Sequence, residues 1–160
     1  MKNIISAITI TLICSGLMLL QNTALADAVI AIDEQLDEYW VVEKKVAPRY
    51  PGRALTNGIM GCAAVGYIIE ADGSTSNHKI LAFHPSRVFD NSAINAAKRF
   101  RYSPAEQNPG KISALTINVF TYEITTDRVD KGDSETRQKL ADSCETGAKK
   151  VLEPHMGTRP

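Results

Sequence analysis

The sequence predicts an α+β domain followed by one extra helix, and three stretches carry that expectation. From Gly61 to Glu70 the residues alternate as in a strand, with Ala63, Val65, Tyr67 and Ile69 on one face and Cys62, Ala64, Gly66 and Ile68 on the other. From Val88 to Tyr102, Phe89, Ala93, Ala96, Ala97 and Phe100 recur at helical spacing and form one apolar stripe. From Ile112 to Ile124 the chain is rich in Thr, Ile, Val, Phe and Tyr, which suit a pleated surface.

The chain opens with Lys2, an apolar stretch from Ile4 to Leu20 and Ala24-Leu25-Ala26. That is the order of an export signal, with cleavage expected after Ala26. A retained anchor is the alternative, since the apolar stretch is at the short limit for spanning a bilayer. Export implies an oxidising compartment, and the signal's form suits a bacterial periplasm. Cleavage removes Cys14 and leaves Cys62 and Cys144 as a natural pair.

Residues 27–47 form an N-terminal arm, acidic and then apolar around Tyr39-Trp40-Val41-Val42, that reads equally as a short helix or an extended segment. Pro48-Arg49-Tyr50-Pro51 is a stiff turn, because each proline fixes its own φ and keeps its predecessor extended. A short helix from Gly52 to Asn57 follows, with Pro51 suited to its first turn and Gly58 to the position just past its end. Asp72-Gly73 joins the first strand to a return strand from Ser74 to Phe83. Ser86 or Asp90 can cap the helix from Val88, and Pro104 stops it. After Asp127 the composition turns charged. A last helix is expected from Asp133 or Ser134, with Leu140, Ala141, Cys144, Ala148, Val151 and Leu152 as its stripe and a loose tail from Pro154.

The 160 residues, with 18 basic and 18 acidic side chains, leave no net charge to attract nucleic acid. His78, His84 and His155 share no metal-ligand spacing, and no metal or other cofactor is expected. No nucleophile elbow, zincin or phosphate-loop motif is present, and the two cysteines are not a CxxC pair, so the chain does not read as an enzyme. His78 reads as a partly buried, hydrogen-bonded imidazole. Lys98, Arg99 and Arg101 read as a solvated face or as partners for a carboxylate.

Pro48-Arg49-Tyr50-Pro51, the spacing Gly61-x-Ala63-x-Val65-x-Tyr67-x-Ile69-x-x-Asp72-Gly73, and Lys98-Arg99-Phe100-Arg101-Tyr102-Ser103-Pro104 together resemble the TonB C-terminal domain. The resemblance runs from about Pro48 to Ile124 and places the domain at residues 48–126. It implies a three-stranded antiparallel sheet with two helices on one face; the extra C-terminal helix and tail of residues 127–160 lie outside it. It also implies a periplasmic module that captures an extended peptide, the TonB box of an outer-membrane receptor, by adding it to the last strand. Ile117, Asn118, Val119, Phe120 and Thr121 would form that edge, with Arg49 and Tyr50 flanking it; a purely structural turn is the alternative for the latter two. On this reading proline at Asn118 or Phe120 removes an edge donor.

Three departures count against powered transduction. There is no Pro-rich spacer between Ala26 and Pro48, the first segment has no His, and Ala47 stands where the transducer has a receptor-contacting glutamine. An accessory periplasmic scaffold, binding another envelope protein or a second copy as a homodimer, is therefore the second hypothesis. A short inner-membrane-anchored transducer is the third, should the signal be retained.

The sheet face opposite the helices, usually polar in this family, here carries Cys62, Ala64, Gly66 and Ile68. Such a row calls for a cover. The expectation is that the C-terminal helix packs there, stapled by Cys62–Cys144; two buried free thiols are the alternative. Both alternating sets of the last strand are apolar enough to face inward, so its register stays open.

Overall fold

The computed structural model describes residues 28–32, 34–124 and 132–156. The expected signal segment, most of the linker before the last helix and the end of the tail lie outside them. The elements in chain order are β1 (Val29–Ile30), α1 (Glu34–Asp37), β2 (Trp40–Lys44), α2 (Gly52–Thr56), β3 (Gly61–Ile69), β4 (Thr75–His84), α3 (Asp90–Ala97), β5 (Arg101–Pro104), β6 (Ala114–Tyr122) and α4 (Gly132–Met156). A single 3₁₀ turn, Arg87–Phe89, leads into α3.

The sheet has four strands in the order β1-β6-β3-β4, rather than three. The three central members, β6, β3 and β4, are the expected antiparallel set. The fourth, β1, joins β6 in parallel through Val29 opposite Ala114 and Ile30 opposite Leu115, which makes the sheet mixed. The arm is therefore both strand and helix: β1, α1 and β2 in succession.

The helix expected from Val88 to Tyr102 is much shorter, and neither Ser86 nor Asp90 caps it. Asp90 instead accepts from the Arg87 guanidinium at 2.7 Å. After Ala97 the chain tightens, with Arg99 N–H donating to Ala96 O and Phe100 N–H to Ala97 O. Arg101–Pro104 then becomes β5, paired antiparallel with β2. Phe100 keeps its burial without being helical, which is why its place in the stripe misleads. Gly73 sits at φ +77, a conformation that favours glycine, and its carbonyl accepts from Tyr102 N–H at 3.0 Å.

The sheet separates two apolar clusters. On one face Ala63, Val65, Tyr67 and Ile69 of β3 meet Phe120 and Tyr122 of β6, Ala54 of α2, Ala93, Ala96 and Ala97 of α3, and Trp40. Phe89 and Tyr122 stack at 4.1 Å. On the other face Cys62 and Ala64 lie against Cys144 and Ala148 of α4, with Leu81, Ala82, Ile117 and Val119 around them. This settles the register of β6: Phe120 and Tyr122 turn to α3, while Ile117 and Val119 turn to α4. Cys62 and Cys144 form a disulfide, with Cα atoms 6.2 Å apart and a sequence separation of 82. Small residues let α4 come close, and a Cβ placed on Gly147 would lie 3.0 Å from that of Ala82. The helix continues through Pro154, where a tail was expected.

Candidate functional site: the outer edge of β6

An open strand edge binds through its main chain, so what matters is which backbone groups point outward. Val29 N–H donates to Ser113 O at 2.9 Å and Ala31 N–H to Leu115 O at 3.0 Å. The backbone of residues 113 and 115 therefore points away from β3. Main-chain direction alternates along a strand, and the β3–β6 ladder runs from Gly61–Tyr122 to Ile69–Ala114 without a register shift. Ile117, Val119 and Thr121 consequently present N–H and C=O to the outer edge. Asn118 and Phe120 give theirs to β3, so a proline at either would break the inner ladder rather than remove an edge donor.

The side chains of the expected site do not form one surface. Phe120 is buried, 5.7 Å from the Phe100 ring. Ile117 and Val119 are half-buried beneath α4. The Asn118 side-chain amide donates to Val119 O at 3.2 Å. Thr121 alone of the five is fully exposed. Tyr50 donates its hydroxyl to Ile59 O at 2.6 Å and sets its ring edge-on to Phe89 and Tyr122, and burial raises its pKa. The Arg49 side chain is exposed, while its carbonyl accepts from the Ser92 hydroxyl. Tyr50 thus holds the turn against the end of β6, and Arg49 ties it to α3.

The opposite edge of the sheet is built differently. The β3–β4 ladder shifts register twice, around Leu81 and around Asn77-His78. Asn77 has φ +51, and Lys79 is exposed. Bulges and an edge lysine discourage strand addition. Among the described residues, of these two edges only the β6 side offers a regular run.

Three other polar side chains have structural partners. The Tyr67 and Tyr102 hydroxyls share a buried hydrogen bond at 2.6 Å. Burial raises both pKa values, and for Tyr67 the Tyr102 hydroxyl adds to the rise. His78 hydrogen-bonds Thr75 at 3.0 Å and stacks on Tyr67. Among the described residues no cluster of His, Cys, Asp and Glu could hold a metal ion.

Residues 46–124 match the sequence model of the family described as "Gram-negative bacterial TonB protein C-terminal". The chain belongs to the TonB C-terminal domain family. This family is not enzymatic. Protein TonB of Escherichia coli K12 is 35% identical over 72 residues, which are 45% of this chain and 28% of that protein. Protein TonB of Vibrio cholerae is 29% identical over 84 residues, 52% of this chain and 34% of that one. The match thus spans about a third or less of these relatives' own length. The solution structure of the Pseudomonas aeruginosa TonB CTD superposes with a TM-score of 0.50 and 26% identity, covering 56% of this chain and 90% of that one. The family match ends at Ile124, so α4 with Cys144 lies beyond it, while the partner Cys62 falls within it.

Sequence reasoning missed β1 and β5. Val29-Ile30-Ala31-Ile32 is an apolar run that could have signalled a strand, but it is too short to show a period.

Proposed function

We propose that this protein is a periplasmic binding module that captures an extended segment of an outer-membrane, TonB-dependent partner by strand addition to β6. The family binds the TonB box of such receptors. The single observation that carries the reading to this chain is the outer edge of β6, where Ile117, Val119 and Thr121 point main-chain groups outward on an unbroken ladder. The bulged β4 edge supports it by contrast. Export through the segment ending at Ala26 fits the disulfide, which belongs to an oxidising compartment. Among the described residues no helix is long and apolar enough to cross a membrane.

The mechanism follows from the backbone. An extended peptide laid beside β6 exchanges N–H···O=C bonds at alternate residues, and its side chains fall on the two faces of the sheet. Each such bond contributes about 1 kcal/mol net, so a short ladder yields weak, reversible capture. Under the sheet, α4 and its disulfide hold the apolar face shut and leave the edge as the surface for docking.

Calorimetry with a synthetic TonB-box peptide tests this. Thr121→Pro removes an outward N–H at an exposed position and leaves the β3 ladder intact, so affinity should fall about tenfold. Phe83→Pro, which removes an outward N–H on the opposite edge because its partner Ala63 gives its own groups to β6, should change nothing. Unchanged affinity in Thr121→Pro removes β6 from the site. A dimer that Thr121→Pro dissociates, with no peptide binding, would instead establish the scaffold reading, with a second copy on the same edge.

A further inference from the structure

The N-terminal end of the β6 edge is already occupied. The bonds from Val29 and Ala31 satisfy the carbonyls of Ser113 and Leu115, and Ala31 and Ile32 are buried as they leave the strand. The loop before β6 is fixed as well: Ile112 O accepts from the Trp40 indole at 3.0 Å, and Ile112 N–H donates to Asn108 at 2.8 Å. The first outward backbone group beyond β1 belongs to Ile117, and the strand ends at Tyr122.

We propose that residues 29–32 are a resident strand that sets the length of the ligand: a segment of about five residues docks on Ile117 to Thr121, and a longer one must displace β1. This rests on the strand-addition reading and adds the length limit to it. Because β1 holds the edge by few bonds, displacement is feasible but costs affinity. The expected selectivity is for short extended segments that diverge from the sheet before Leu115.

The test uses the full chain and nested synthetic peptides of about five and about nine residues from the TonB box of an outer-membrane receptor, chosen to match the two ladder lengths. Val29→Pro removes the N–H that bonds Ser113 O. It should raise affinity for the longer peptide about tenfold and leave the shorter one unchanged. Equal gains for both lengths, or none for either, would overturn the length limit while peptide binding itself stood. Failure of both peptides to bind both proteins would sink strand addition and the length limit together. Amide exchange reads the cover without any peptide: Leu115 N–H should exchange slowly in the unsubstituted chain and faster in Val29→Pro. Exchange at Leu115 as fast as at Ile117 in the unsubstituted chain would refute a resident β1.

Discussion

Reducing the Cys62–Cys144 disulfide should remove a large part of the protein's stability. The bond closes a loop with a sequence separation of 82, for which the chain-entropy relation gives about 4.5 kcal/mol at 25 °C. Domains of this size are stable by roughly 5–15 kcal/mol in total, so the effect is visible in any melt. The contact beneath α4 adds to the dependence, because Ala64, Ala82 and Ala148 are small and give little apolar area to hold the helix unaided. Urea unfolding with and without a phosphine reductant measures the effect. The protein has one tryptophan, and Trp40 is buried in the cluster on the α3 side, so its fluorescence follows that core while circular dichroism follows the helices. The reduced midpoint should lie about 2 M or more lower, and Cys62→Ala/Cys144→Ala should behave like the reduced protein. A shift below about 0.5 M in both would show that α4 docks without its staple and refute the reasoning.

Other consequences are equally specific. Gly73→Ala should destabilise by about 3 kcal/mol in thermal melts, because φ is +77 and a Cβ would fall 1.9 Å from Tyr102 O; a loss within experimental scatter would contradict the turn geometry. Tyr102→Phe strands the buried Tyr67 hydroxyl and should cost about 1–3 kcal/mol, whereas Tyr67→Phe/Tyr102→Phe should cost less than the two single changes summed, a comparison a double-mutant cycle makes directly. Burial, with Lys98 nearby, holds the His78 imidazole below 6.5, so just below that pH the unfolded chain binds more protons than the folded one. Stability should therefore fall as pH drops through that window, and denaturation midpoints of His78→Gln should lose this slope.

The strand β3 was legible from its two-residue alternation, β4 as the return beyond the Asp72-Gly73 turn, and β6 from its run of β-branched and aromatic residues. The α4 cover was legible for a different reason: Cys62, Ala64 and Ile68 make a sheet face that water does not suit, and the C-terminal helix carries a matching apolar stripe that contains Cys144. What escaped has no local signature. Val29–Ile30 is two residues long, and Arg101–Pro104 becomes a strand only because β2 lies beside it. The binding edge was legible as a strand but not in its polarity. Which residues face outward follows from the β1 contact, and that alternation moves the informative proline from Asn118 or Phe120 to Thr121.

The central claim is strand addition to β6, and backbone amide exchange during titration with a TonB-box peptide tests it most directly. Protection should appear at Ile117, Val119 and Thr121, skip Asn118 and Phe120, whose amides already bond β3, and leave β4 unchanged. Protection gained along β4 or the β2–β5 ribbon, or no change at the three outward amides while peptide binds, would contradict it.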